Sequence, residues 1–185
     1  MRRRRYADYQ KRIEIASDVK RLCLYSAMIF LAVVAEKAFF ATLDYLPAPP
    51  DLVIGIVCGV ALMDKRENAL VCALVGGVMT DALGGETVYL SPLVYFLLAI
   101  ILTAFSKKML KRYPSDLALL GIATVFRGAY TLGMCILLGK MGFLPALTRC
   151  ALPKIISTAV LCLPMYLAVR PASKAFSMGR KGMYE

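Results

Sequence analysis

Six apolar segments make up most of this chain and limit the folds open to it. They cover residues 22–43, 52–63, 69–83, 90–105, 117–138 and 150–169. A helix needs about 20 apolar residues to cross a hydrocarbon core roughly 30 Å thick, and the first, fifth and sixth segments reach that length. Because 59% of the residues are hydrophobic and polar helix faces are largely missing, the sequence predicts an all-α membrane protein rather than a soluble bundle.

The second and third segments are short, and Gly76 and Gly77 interrupt the third. Two arrangements are open for this pair: two spanning helices, or a re-entrant hairpin. Irregular backbone at membrane depth must be buried in protein or line a cavity, so both arrangements place the pair against other helices. We prefer two spans, because only then do the basic connections alternate from side to side.

The basic residues predict the orientation. Eighteen Lys and Arg residues fall in the leader, the second and fourth connections and the tail, against two in the outer connections. Cytoplasmic loops are the basic ones, so the sequence predicts a polytopic bundle of six transmembrane helices with both termini cytoplasmic. The parts are a leader (1–21), a transmembrane domain (22–170) and a tail (171–185).

The net charge of +11 is largely explained by this topology, and no nucleic-acid-binding motif accompanies it. The leader is either a short amphipathic helix on the lipid bilayer or a solvated basic tail that only sets the orientation.

Ionisable side chains within apolar segments are costly and usually have a partner or a function. The segments contain Glu36, Asp81, Arg127 and Lys154. We expect these groups to pair with one another and lock the bundle, with Asp81 accepting from Arg127 or from a partner's helix. Contact with a partner protein and a proton relay are the alternatives.

Small residues form ridges that let helices approach closely. One ridge runs through Ala69, Ala73 and Gly77 to Asp81, and others join Gly55 to Gly59 and Ala129 to Gly133. We expect the ridges of the second and third segments to pack helices together.

Catalytic chemistry is not predicted. The chain has no His, and its six Cys residues lie in or beside apolar segments without CxxC spacing, which suits small hydrophobic side chains. No nucleophile pair, phosphate-binding loop or ligand cluster is present in the sequence. We therefore expect no enzyme activity, cofactor or metal.

The middle of the chain resembles the MreD family of bacterial rod-shape-determining membrane proteins. A Pro-Asp-Leu start precedes a short basic link, a Gly-containing helix that ends in Asp, and a Gly- and Ser-containing turn. The matching residues are Pro50, Asp51, Leu52, Gly76, Gly77, Asp81, Gly84, Gly85 and Ser91. Tyr89 stands where the family usually has Gly, and the Arg-rich leader is atypical.

The resemblance implies a non-enzymatic component of the peptidoglycan elongation machinery in the bacterial cytoplasmic membrane. Such a protein is a platform for MreC, a single-span protein, and through it for MreB. The same machinery includes RodA and a penicillin-binding transpeptidase, which the protein would contact directly or indirectly. The alternative is the substrate-binding subunit of an energy-coupling-factor vitamin transporter, which is similarly small. The Ala-xxx-Ala ridge common in the first helix of those subunits is missing here.

Overall fold

The computed structural model of the chain describes residues 2–39, 49–84, 90–106, 113–139 and 142–181. Within these ranges the backbone is helical apart from short connections, and no strand occurs. The helices are α1 (Arg2–Ala38), α2 (Leu52–Met63), α3 (Arg66–Gly84), α4 (Ser91–Ser106), α5 (Tyr113–Leu137), the short α6 (Phe143–Ala146) and α7 (Leu152–Lys181). The predicted all-α class is therefore correct for the described residues.

Helix α2 is the centre of the bundle. It has 12 residues, which corresponds to a length of about 18 Å. Residues 52–61 are all buried, and α1, α3, α4, α5 and α7 all pack against it. This position explains why the second segment is apolar without an amphipathic pattern: no side of the helix faces out of the protein.

The outer helices present large apolar side chains outward. Two stretches, Asp116–Leu137 and Phe143–Pro171, are long and apolar enough to cross a membrane. Only 33% and 22% of the residues in their most apolar windows are buried inside the protein. The first segment, also predicted to be long enough, is not one of these two stretches, and its residues 40–43 lie outside the described ranges.

The last helix starts irregularly. The α6 helix leads into a π-helical turn at Leu147–Ala151, and α7 follows directly. A π turn holds one extra residue and often marks a functional region. Pro164 and Pro171 lie inside α7, where each removes one backbone hydrogen bond.

The first helix is longer than the apolar segment predicts, because α1 begins at Arg2 and continues through the basic leader. A helix of 37 residues has a length of about 55 Å. This favours a helical leader over an unstructured tail.

Candidate functional site

Asp51, at the start of α2, is the centre of the candidate site. Its side chain is 1% exposed, and its Oδ1 accepts a hydrogen bond from the Ile54 backbone N–H over 3.2 Å. Asp51 is therefore the N-cap of α2, and its negative charge lies at the positive end of the helix dipole. The preceding Pro50 favours an extended approach to this cap.

Two side chains from other helices meet the second oxygen of this carboxylate. Arg127 of α5 donates from Nε to Asp51 Oδ2 over 2.7 Å, and the Tyr95 hydroxyl of α4 donates to the same atom over 2.6 Å. The Arg127 guanidinium also lies 5.0 Å from the ring centroid of Tyr95 and 5.1 Å from that of Tyr130. These contacts place a buried cation on aromatic faces as well as on a carboxylate.

The backbone at the start of α2 is bound to α7 and α1. The Asp51 N–H donates to the Thr158 hydroxyl of α7 over 3.0 Å, and the Leu52 N–H lies 3.4 Å from Glu36 Oε2 of α1. These bonds satisfy two of the backbone donors that a helix start leaves without an intrahelical partner. One carboxylate and its neighbouring peptide groups thus connect α2 to α1, α4, α5 and α7.

Further charges surround this cluster. Glu36 is 5% exposed, and its Oε1 lies 3.7 Å from Lys37 Nζ. Lys154 is close enough to act electrostatically on Glu36 and Asp51, the two carboxylates of the cluster. Together with Arg127, the site therefore contains two carboxylates and three cations, and we call these five residues the polar centre.

Asp81 is separate from the polar centre. Its Oδ2 accepts from the Ser91 backbone N–H over 3.2 Å, so Asp81 of α3 caps the start of α4. The expectation that Arg127 donates to Asp81 is wrong, because Arg127 is bound to Asp51. Asp81 is 4% exposed, and its bond to Ser91 joins α3 to the start of α4. Residues 85–89, including Gly85, lie outside the described ranges. Gly84 is the last residue of α3.

The small residues of α3 serve two different interfaces. A Cβ on Gly77 would lie 2.2 Å from Pro92 Cα of α4, and one on Gly76 would lie 2.9 Å from Val53 Cγ1 of α2. Ala73 is fully buried. Adjacent glycines, about 100° apart around the helix axis, therefore allow close approach to two different neighbouring helices.

The small residues of α2 pack on α7 rather than on the ridge of α3. A Cβ on Gly55 would lie 2.9 Å from Met165 Cβ, and one on Gly59 would lie 3.1 Å from Val169 Cβ. The third predicted ridge behaves differently, because Ala129 is exposed and a Cβ on Gly133 would meet nothing within 4 Å. Only the first two ridges pack helices of this chain together.

A second charged cluster lies at the opposite end of α2. Asp64 accepts from Arg21 Nη1 and from the Tyr25 hydroxyl, each over 3.1 Å, and Lys65 Nζ lies 2.7 Å from Asp18 Oδ2. These contacts bind the α2–α3 turn to α1. They involve basic residues that the topology prediction assigns to the cytoplasmic side.

The contacts of the polar centre hold the surrounding helices in one arrangement. Asp51 and Arg127 pair with each other inside packed helices, and removing one partner of such a pair leaves a buried charge uncompensated. Within the part of the chain that the structure describes, no group of three His, Cys, Asp or Glu side chains could hold a metal ion.

Sequence reasoning missed Tyr95 and Thr158, both of which touch Asp51. Tyr95 lies four residues after Ser91 and is the one tyrosine of the apolar α4, which is a usable but unspecific signal. Thr158 carries no signal that separates it from the other Thr residues. The chain matches no protein-family model, no curated protein and no solved structure.

Proposed function

We propose that this chain is a non-enzymatic, MreD-like component of the peptidoglycan elongation machinery in the bacterial cytoplasmic membrane. In this proposal it crosses the membrane six times with both termini in the cytoplasm. It acts as a platform that holds the membrane helix of an MreC-like, single-span partner. Through that partner it connects to MreB, RodA and a penicillin-binding transpeptidase.

The polar centre is the observation that carries the proposal. Asp51 is the central residue of the Pro50–Leu52 motif on which the resemblance rests. From the start of α2 it bonds to α4, α5 and α7, and the adjacent Leu52 N–H bonds to α1. A motif residue placed at the junction of a bundle has a structural reason to be there, independent of any substrate. This position supports a platform, whose function depends on a fixed arrangement of helices.

The outward apolar surface supports the membrane placement. Large side chains such as Leu97, Ile122 and Val160 are between 43% and 67% exposed, whereas Glu36, Asp51 and Arg127 of the polar centre are buried among the helices. Soluble monomers rarely expose apolar surface on this scale. Lipid would cover these side chains, and the basic connections would set the orientation.

The pairing within the polar centre favours a platform over a proton relay. A relay needs a group that can exchange protons with water on one side and release them on the other. Asp51 is instead saturated by Tyr95, Arg127 and the start of α2. Its bonds hold the carboxylate in place rather than leave it available for transfer.

Co-purification with an MreC-like single-span protein tests the proposal. We expect the wild-type chain to capture that protein from detergent-solubilised membranes and Asp51→Leu to lose most of it, because the five-helix junction is broken. Lys65→Gln, which removes an ion pair whose lysine is 40% exposed, is the matched control and should retain capture. A wild-type chain that captures no such protein would contradict the platform.

Protein purified in the same way from detergent-solubilised membranes also tests the vitamin-transporter alternative. A substrate-binding subunit would purify with a small molecule bound in stoichiometric amount and would associate with a transport subunit. Mass spectrometry of the purified, denatured protein detects such a molecule. Its presence, together with failure to capture the single-span protein, would replace our proposal with the alternative.

A further inference from the structure

An apolar groove runs along the outer surface of α7. It has a volume of about 650 Å³, and its lining includes Pro50, Thr148, Leu152, Ile156, Ser157 and Val160. The groove lies directly outside the polar centre, because Pro50 precedes Asp51 and Ser157 precedes Thr158. It is open along its length to the surroundings of the bundle.

The irregular start of α7 forms one end of this groove. Thr148 belongs to the π turn, and Pro153, another lining residue, follows within the first turn of α7. The extra residue of a π turn displaces the side chains around it from their regular positions. The groove is thus built from a local departure from α-helical geometry.

The length of the groove suits an acyl chain. From Thr148 to Leu161 it extends about 20 Å along the helix axis. One leaflet of a hydrocarbon core roughly 30 Å thick is about 15 Å deep. An acyl chain that starts at the membrane surface can therefore follow the groove through its own leaflet.

A cation lies at the end of the groove where the π turn begins. Arg149 directly follows Thr148 and is exposed, and it forms no ion pair with any residue that the structure describes. Lys154, by contrast, acts on the carboxylates of the polar centre. An apolar groove with a basic residue at one end is complementary to a molecule with a hydrocarbon chain and an anionic head.

We infer that this groove binds one acyl chain of an anionic phospholipid, whose phosphate pairs with Arg149. The inference uses the membrane placement of the proposed function but not its protein partner. In the proposed orientation, the lipid belongs to the outer leaflet. The phosphate lies at the level of the π turn, and the acyl chain follows α7 inward past Ile156 and Val160.

Quenching of a single Trp by brominated lipids tests this inference, because the chain contains no Trp of its own. The probes are bilayers of phosphatidylglycerol or phosphatidylcholine with brominated acyl chains. Val160→Trp reports on the groove, and Val125→Trp, on the outward face of α5, is the matched control. The two valines are 67% and 56% exposed.

We expect phosphatidylglycerol to be preferred at position 160 by about fivefold, the size of effect that one basic residue gives near an anionic lipid. Arg149→Gln should remove that preference. The Trp at position 125 should show no preference for phosphatidylglycerol, whether or not Arg149 is replaced. Ile156→Trp provides a second reporter in case Val160→Trp does not fold.

Three results would overturn the inference. Equal quenching by both lipids at positions 160 and 156 would mean that the groove does not select the anionic head. If the preference for phosphatidylglycerol survives Arg149→Gln, a group other than Arg149 is responsible for it. Absence of quenching at both groove positions, with normal quenching at position 125, would show that protein rather than lipid fills the groove. None of these results bears on capture of an MreC-like protein, so the two proposals fail independently.

Discussion

Arg127 Nε donates to Asp51 Oδ2 over 2.7 Å although 76 residues separate them in the chain. Both side chains are enclosed, at 4% and 1% exposure. The bond joins the N-terminus of the central helix to the middle of α5. Its length and burial make it the strongest candidate among the described ion pairs for an interaction that fixes the bundle.

Removing either member of this pair should therefore be costly, and the two losses should not add. We expect Asp51→Asn or Arg127→Met alone to lower the free energy of unfolding by about 3–5 kcal/mol, because the remaining group is buried with reduced compensation. The double variant should lose less than the sum of the two single changes. Unfolding in detergent, followed by circular dichroism, measures all three.

The exposed pair of Lys65 and Asp18 is the control for that cycle. Lys65→Gln should change the free energy of unfolding by no more than about 1 kcal/mol, because solvent already screens the pair. Single and double variants of Asp51 and Arg127 that prove strictly additive would contradict the assignment of this pair as a coupled unit.

The glycines of the bundle should differ in their tolerance of a methyl group. Gly77→Ala should destabilise the protein, because its Cβ would lie 2.2 Å from the backbone of Pro92. Gly121→Ala should be neutral or stabilising, since nothing lies within 4 Å there and Ala is the better helix former by about 1 kcal/mol. Thermal unfolding of the two variants measures the difference. Equal stability would show that α3 and α4 do not approach as closely as described.

The function of Asp81 should depend more on its capacity to accept a hydrogen bond than on its charge. Asp81→Asn keeps an acceptor for the Ser91 N–H, whereas Asp81→Leu leaves that buried donor unpaired at a cost of about 1–3 kcal/mol. On the platform proposal, Asn retains most capture of an MreC-like protein and rod shape, and Leu loses both. Co-purification and cell morphology are measured together. Normal capture by Asp81→Asn with complete loss of rod shape would favour a proton relay instead.

The predicted topology places Lys65 in the cytoplasm. In a variant without the six native cysteines, Lys65→Cys should react with a membrane-impermeant maleimide only after the cells are opened. A cysteine at Leu144, which is 71% exposed in α6, should react from outside and is the control for labelling. Reaction of position 65 in intact cells would reject the six-span orientation.

The elements of this fold were easier to predict from sequence than its contacts. The bounds of α2 agree with the predicted apolar segment at residues 52–63, because a buried helix is apolar up to its cap. The start of α1 was only one of two alternatives, since the charged leader could be a short amphipathic helix or a solvated tail, and its continuity with the first apolar segment as one helix was not predicted. Hydropathy identifies the segments that leave water, and the charged leader is not one of them.

The partner of Arg127 could not be predicted in the same way. Both Asp51 and Asp81 end or begin helices, and nothing local distinguishes them as acceptors. The choice depends on how α5 packs against the start of α2, which is a property of the assembled bundle. Tyr95 and Thr158 are recognisable as members of the site only after that packing is known.

The bonds around Asp51 also have a consequence for the order in which the protein is completed. The acceptor of its backbone N–H, Thr158, comes 107 residues later in the chain. At a synthesis rate of about 5–20 residues per second, Thr158 is made roughly 5–20 s after Asp51. For about the first 4–15 s of that interval the start of α2 also lacks its cation, because Arg127 comes 76 residues after Asp51. The early helices are therefore an unfinished assembly, which is completed only when the final helix arrives.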